Sequence, residues 1–496
     1  MKKTNEITKL NTTQKNGLAL TNIEHGKIVA IFLATLCLMY SLTVAKFFVF
    51  NIKYDYIILL VLFVGLCVML SSLFIFLVNR RKDKVSRVKI LMAICFCMFL
   101  AYSTNIYLIN LNTYSMSMAF AAFLIAPLTD KKDAFVSNII LILMVTFVNL
   151  VITIYIGNYE IIYAILGMSL GGIICGTLVS YTISKNTFRL NYVLKGLFYG
   201  ILSFLVTFVF MMLSAQDAKL LGMLKADWFI FVTVISVTVF ISQTIHPITE
   251  LVFNILTDAR LVELTNHSSP LIHRLMTEAP GTFNHSMAVA NFAEVCANAI
   301  GENPYMARTA AYYHDVGKLI NPTYFKENQE DDYNPHDELL PEISAEIIRK
   351  HTTDGFELCK KYRIPIEIAE ITIQHHGSKL IYVFYNKAQN MTDQEVDKKL
   401  YSYNGETPRT KIAALIMICD AAEATIRSMA KPDGARVDKL LKDLIESTIL
   451  TGQLDNCAIT LKDLDVVRQT IKNIYGGIFH GRISYSDAKH KYNIKQ

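Results

Sequence analysis

The chain has 496 residues, a formal net charge of +6 and 52% hydrophobic residues, with a mean hydropathy of +0.34. That is too apolar for a purely soluble enzyme, and the length suits two or three domains. The apolar residues are concentrated before about residue 246, and the positive excess is confined to short loops, which argues for membrane topology and against a DNA or RNA polymer as partner.

In chain order, residues 1–27 are polar and lysine-bearing. This segment is long for a signal-peptide n-region, and the first apolar stretch is too long for an h-region, so that stretch is expected to be retained. A bilayer core needs about 20 apolar residues per helix. Eight segments qualify, at 28–50, 56–78, 90–110, 114–128, 134–156, 161–183, 193–213 and 228–246, the fourth being short. Lysine and arginine set the orientation. Lys2, Lys3, Lys9, Lys15 and Lys27 precede the first span, and loop 79–89 (NRRKDKVSRVK) holds six basic residues. Lys131 and Lys132, then Lys185 and Arg189, follow in the alternate loops, against only Lys53, Lys219 and Lys225 on the other side. Both termini are therefore expected in the cytoplasm. Lys46 and Lys195 lie near span ends, where they can snorkel. The glycine-rich stretch 167–176 (GMSLGGIICG) permits close helix packing or a ligand pocket. Nine cysteines are scattered with no CxxC pair, which suits a reducing compartment for the soluble half.

His246-Pro247 is expected to end the last span. Residues 247–270 then form an amphipathic connector, with Ile248, Leu251, Val252, Ile255, Leu256 and Leu264 at helical spacing. Residues 271–496 look like an ordinary soluble helical domain. Pro304 opens a helix that runs into His314-Asp315, with Gly317 after it. Another helix spans 366–376 and ends at His375-His376, with Gly377 just beyond. The apolar stretch 411–429 contains a lone Asp420, costly on a buried face unless paired or bound to metal.

His285, His314, Asp315, His351, His375, His376 and Asp420 together offer seven imidazole and carboxylate groups. That is too many for one four-coordinate ion and suits two transition metals sharing a bridging carboxylate, with a position open for water. The chemistry implied is metal-assisted hydrolysis of a phosphate ester. Lys318 is placed to meet a phosphate or the leaving oxygen, and Arg427 lies about two helical turns past Asp420. Glu423, one turn from Asp420, is placed for a supporting role. His25, His246, His267, His480 and His490 have no ligand-like company, and His273 reads as structural.

The string His314-Asp315-Val316-Gly317-Lys318 resembles the HDxGK signature of the HD-domain metal phosphohydrolases. Residues 279–286 (APGTFNHS) resemble the opening motif of the seven-transmembrane HD family. Glu327-Asn328-Gln329, Asn334-Pro335-His336-Asp337, Ser344-Ala345, His375-His376-Gly377, the 403–408 string YNGETP and the 420–424 string DAAEA follow at that family's positions. The resemblance extends through the bundle and is to the PgpH-type cyclic-di-AMP phosphodiesterases. It implies an all-α protein: a polytopic transmembrane bundle of about eight helices (28–246), then a cytoplasmic all-helical HD-type domain (271–496). It also implies hydrolysis of cyclic-di-AMP to pApA with two divalent metals, usually manganese or iron. His285, His314 and Asp420 would hold one ion, His351, His375 and His376 the other, and Asp315 would bridge. His336, in the Asn-Pro-His stretch, falls beside the substrate, with Lys318 and Arg427. The expected partners are a cyclic dinucleotide, the lipid bilayer and a second copy of the chain.

The sequence departs from that family in two places. Five residues, 51–55, stand where the family has a large extracytoplasmic domain, and Asn404 and Glu406 replace common prolines. No Gly-Tyr-Pro tripeptide occurs, which separates the chain from the HD enzymes that cleave cyclic-di-GMP. Two other readings compete: a hydrolase of another nucleotide such as a guanosine polyphosphate, and a membrane receptor whose HD domain only binds nucleotide. Seven intact ligands disfavour the receptor.

Overall fold

The structure is a computed structural model that describes residues 22–80, 84–110, 112, 115–183, 189–214, 219–329, 333–429 and 434–479. The polar segment before residue 22, Lys185, His480 and His490 lie outside the described residues. The chain divides into two compact units, Met1–Ala259 and Arg260–Gln496. The described residues are helical, with one isolated antiparallel bridge, Leu380 to Ser402.

In the first unit the helices are α1 (Asn22–Val49), α2 (Tyr56–Arg80), α3 (Lys84–Leu108), α4 (Phe120–Ile125), α5 (Lys131–Ile156), α6 (Ile162–Thr182), α7 (Arg189–Ser214) and α8 (Lys219–Phe253). Six of them are long and apolar enough to cross a membrane, and α8 with the short helix after it gives a seventh. On α2, Leu62, Leu66, Leu70 and Leu73 are fully buried while Leu60, Val64 and Val68 are exposed. An apolar interior with an equally apolar exterior is the signature of a helix facing lipid.

The fourth expected span differs from a full helix. Only the six residues of α4 are helical, and all six are buried. About 9 Å of helix cannot cross a hydrocarbon core of about 30 Å. Arg80, at the end of α2, pairs with Asp130 at 3.3 Å and Asp133 at 3.2 Å, so α2 ends where α5 begins. Between them in the chain lie α3 and a segment that contains α4. Neighbouring side chains bond to backbone groups of the described part of this segment. Asn105 Nδ2 donates to Ser117 O at 3.1 Å, Asn138 Oδ1 accepts from Ala122 N at 3.2 Å, and Tyr192 donates to Phe123 O at 2.7 Å.

Three further expectations are refined. Lys46 does not snorkel: it is 2% exposed and donates to Asn149 Oδ1 of α5 at 2.9 Å. Lys195 instead donates to Thr182 O at 2.8 Å, the last residue of α6. The glycine stretch serves close packing, since a Cβ at Gly172 would collide with Met118 and one at Gly176 with Asn138. Pro247 does not end the last span, because α8 runs through it to Phe253. The stop comes at Asn254, whose φ of +49° is the left-handed conformation that terminates helices. The connector is thus the end of α8, a break and a short helix, α9 (Asp258–Leu264).

In the second unit, α10 (Pro270–Glu278), α11 (Pro280–Ala299), α12 (Pro304–Tyr313) and α13 (Pro341–Lys361) each open on proline. Proline at the first helical position has a preset φ and no N–H to leave unsatisfied. Then come α14 (Ile366–Gln374), α15 (Tyr382–Gln389), α16 (Lys411–Ser428), α17 (Gly434–Leu450) and α18 (Leu461–Phe479). Helix α16 is the centre of this unit, buried continuously from Ile412 to Asp420 and packed on α11, α12, α14 and α17. Thr410 caps it, its side chain accepting from Ala413 N at 3.1 Å.

Candidate metal centre

Each ligand candidate stands on a defined element. His285 lies in the second turn of α11, His351 in the middle of α13 and Asp420 in the middle of α16. His314 and Asp315 are the two residues past α12, and His375 and His376 the two past α14. A Cβ at Gly317 would collide with His351 O and come within 2.5 Å of Gly355 N, so glycine is what lets the HDxGK turn lie against α13. Gly281 plays the same part at the start of α11, where a Cβ would collide with Glu327 O. Thr282 N then donates to Asn328 Oδ1 at 3.0 Å, and Thr282 Oγ1 to Glu327 Oε1 at 3.2 Å.

The ligand atoms converge in two groups, His285, His314 and Asp420 in one and Asp315, His351, His375 and His376 in the other, each group within 4.8 Å. Asp315 faces both. Its Oδ2 lies 3.3 Å from His314 Nε2 and 3.7 Å from His285 Nε2, and its Oδ1 lies 3.3 Å from His351 Nε2 and 3.5 Å from His375 Nε2. Asp420 also spans the centre, with Oδ1 2.9 Å from His285 Nε2 and Oδ2 3.8 Å from His376 Nδ1.

Hydrogen bonds fix which nitrogen points inward. His314 Nδ1 donates to Ala311 O at 2.7 Å, His351 Nδ1 to Ile348 O at 2.5 Å and His375 Nδ1 to Thr372 O at 2.8 Å. His285 Nδ1 meets Glu423 Oε2 at 2.5 Å. Each Nε2 is therefore left to present a lone pair to the centre. His351 Nε2 and His375 Nε2 lie 3.3 Å apart, and His314 Nε2 and Asp315 Oδ1 are buried with no hydrogen-bond partner. Facing lone pairs and orphaned buried acceptors fit a bound cation. The nitrogen and oxygen donors suit a divalent metal.

The electrostatics agree. Burial pushes His375 down to about 4, its neutral, ligating form. Burial also opposes charge on Asp315 and Asp420, but the histidines around both, and Lys318 beside Asp315, outweigh it and hold the two carboxylates well below their usual range.

The remaining candidates are spread around this centre. Lys318 is 2.7 Å from Asp315 Oδ2 and 2.7 Å from Glu327 Oε1, with its ammonium 5.0 Å from the Phe325 ring centre. Arg427 is half exposed and reaches Glu423 at 3.7 Å. His336 is outside both groups: its Nε2 donates to Tyr324 O at 3.0 Å, and its ring packs on Phe384 at 5.0 Å. It borders a groove of about 560 Å³ lined also by Tyr324, Phe325 and Glu327. His267 packs edge-on against Phe283 in the second unit, and His246 belongs to the bundle. Glu327, Lys379 and Tyr403 are close to the centre although sequence reasoning gave them no role. Tyr403 stacks on His376 with centroids 4.3 Å apart.

Residues 282–425 match the family described as HD domain, and that class is what the helical second unit and its histidine–aspartate cluster define. The chain carries an HD domain, and the curated relatives it resembles are PgpH proteins. It is 36% identical over 381 residues to "Cyclic-di-AMP phosphodiesterase PgpH" of Bacillus subtilis, covering 76% of this chain and 52% of that one. It is 34% identical over 373 residues to the protein of the same name in Listeria monocytogenes, covering 75% and 50%. The chain thus spans about half the length of these curated relatives. A solved structure, the L. monocytogenes PgpH HD domain in complex with cyclic-di-AMP, is 42% identical and is covered completely by 44% of this chain, with a TM-score of 0.42.

Proposed function

We propose that this chain is a membrane-anchored phosphodiesterase that hydrolyses cyclic-di-AMP to pApA. The observation that carries the reading is Asp315, whose two oxygens face two separate histidine groups. His285, His314 and Asp420 would hold one ion and His351, His375 and His376 the other, with Asp315 shared between the two groups. Two divalent ions there, manganese or iron by ligand preference, would supply Lewis-acid charge and an activated water at neutral pH. The chain's own residues do the rest. Backbone carbonyls of α12, α13 and α14 lock three imidazoles in the ligating tautomer. Glu423 holds the fourth, and Lys318 orients Asp315 within reach of a phosphate oxygen. Arg427 and His336 are assigned to the nucleotide outside the reacting phosphate. The two PgpH relatives are named for the same reaction, and the match reaches beyond the HD domain into the bundle.

The apolar helices anchor the enzyme in the lipid bilayer of a bacterial cell membrane, with both termini and the catalytic unit in the cytoplasm and a second copy as a possible partner. The test offers the purified full chain in detergent, loaded with manganese, cyclic-di-AMP, cyclic-di-GMP and ppGpp in parallel. Release of pApA from cyclic-di-AMP at the highest kcat/KM is expected. Preferential cleavage of ppGpp, or cleavage of none, overturns the proposal.

A further inference from the structure

The charge of Lys318 is already committed, because Asp315 and Glu327 each lie 2.7 Å from its ammonium. The cluster has a second ammonium without such a commitment. Lys379, three residues past His376, is half-buried, and its ammonium has no hydrogen bond or ion pair among the described residues. Burial lowers its pKa, and Asp420 works against that.

The backbone around Lys379 sets its neighbour. Tyr403 N donates to Lys379 O at 3.0 Å and Ile381 N to Tyr401 O at 2.8 Å, with Leu380 opposite Ser402. Residues opposite one another in an antiparallel pairing share a face, so Lys379 and Tyr403 stand side by side. Gly377, at φ +56°, makes the turn out of α14. Gly405 lets the 403–408 loop approach, since a Cβ there would collide with Ile373 O. The Tyr403 ring is then seated on the ligands, stacked on His376 at an interplanar angle of 26° and edge-on to His351 at 6.0 Å. Its hydroxyl has no hydrogen-bond partner among the described residues.

Two donors on paired backbone, one cationic and one neutral, both half-buried and both unused among the described residues, match an oxyanion. We propose that Lys379 and Tyr403 form a phosphate-oxygen site at the rim of the metal centre, the ammonium and the phenol hydroxyl donating to a non-bridging oxygen of the bound nucleotide. The proposal rests on the phosphodiesterase reading and divides the labour within it: Lys318 orients Asp315, while Lys379 and Tyr403 hold substrate. Charge-assisted donors of this kind are the stronger class of hydrogen bond.

The experiment uses the full chain in detergent, metal-loaded, as parent, Lys379→Gln, Lys379→Arg and Tyr403→Phe. Binding of inorganic phosphate is measured by calorimetry, metal content by elemental analysis, and kcat and KM with cyclic-di-AMP. The expected result is parental metal content with phosphate bound about tenfold more weakly by Lys379→Gln and Tyr403→Phe, a loss of the size one hydrogen bond to a charged group supplies. KM should rise in parallel, and Lys379→Arg should recover most of the loss. Phosphate affinity within twofold of the parent, a parent that binds no phosphate at millimolar concentration, or loss of metal from the variants would each overturn the proposal. Variants that lose phosphate while the parent cleaves no cyclic dinucleotide would sink the substrate reading and leave the phosphate site standing.

Discussion

At the scale of single residues, Asp315 is the least replaceable group in the molecule. Its Oδ1 and Oδ2 face different histidines at 3.3 Å each, a task one amide oxygen cannot perform. Asp315→Asn and His314→Ala should therefore lower hydrolysis by more than the roughly 100-fold that losing an outer partner costs. Initial rates and metal analysis on the same samples check this, and near-parental activity in either variant refutes the bridging role. Glu423 is such an outer partner, 2.5 Å from His285 Nδ1. Glu423→Gln keeps an oxygen acceptor and removes the charge, and should weaken metal affinity by about 10–100-fold. The ligand types were legible from adjacent pairs such as His314-Asp315. Glu423 and Glu327 are hard to read from sequence, because a surface-like glutamate gains its meaning from a partner 138 residues away in the first case and from Lys318's ammonium in the second.

The same residues set a pH dependence. Burial pulls His314 down, but Asp315 and Asp420 outweigh it and raise it to about 10. Burial likewise opposes a raised His285, and Asp420 and Glu423 prevail. A histidine held above its ordinary 6.5 binds its proton more tightly in the fold than in the unfolded chain. That stabilisation of the metal-free protein is full below about 6.5 and is lost as pH rises through about 10. A metal must displace these protons, so apparent affinity should climb between pH 6.5 and 8.5, up to about tenfold per unit for each proton released. Metal titration of chelator-treated protein at three pH values reads this directly, and a flat profile contradicts it.

At the scale of elements, the turn after α12 and the fourth expected span show where pattern reading stops. Gly317 was read as a helix terminator. The structure adds that it touches the α13 backbone, where even one methyl group meets His351 O. Gly317→Ala should cost about 3 kcal/mol, at the upper end of overpacking because the obstacle is backbone. It should also lower metal content by moving His314 and Asp315 away from α13. A variant with parental melting temperature and metal content would show that the turn can yield. The segment 114–128 was expected as a span because its composition is apolar. Its helix is six residues long because Asn105, Asn138 and Tyr192, on other helices, take over its backbone hydrogen bonds. Hydropathy carries no record of such distant partners. The expected topology, with both termini on one side, has a direct consequence. Cysteines introduced in 79–89 and at Lys131 should label from the same face of the membrane, opposite to cysteines in 214–227. Labelling of 79–89 and Lys131 from opposite faces would overturn that topology.

At the scale of the whole molecule, composition alone separated an apolar half from an ordinary helical one, and the chain divides at Ala259 and Arg260. What composition could not reveal was the manner of the junction, where one asparagine at φ +49° stops a helix that proline does not. Every metal-ligand candidate lies after residue 280, inside the second unit. Helices α1 and α2 are separated only by residues 50–55, which leaves no room there for an external sensing domain. With no such input between them, the catalytic unit is expected to be active by itself and the bundle to localise or modulate it. A rate change of about tenfold corresponds to roughly 1.4 kcal/mol, within the usual range of coupling between sites. Residues 261–496, once shown by circular dichroism and metal analysis to be folded and loaded, should therefore retain kcat/KM within about tenfold of the full chain in nanodiscs. An inert but folded and metal-loaded fragment, beside an active full chain, would make the bundle part of the catalytic machinery.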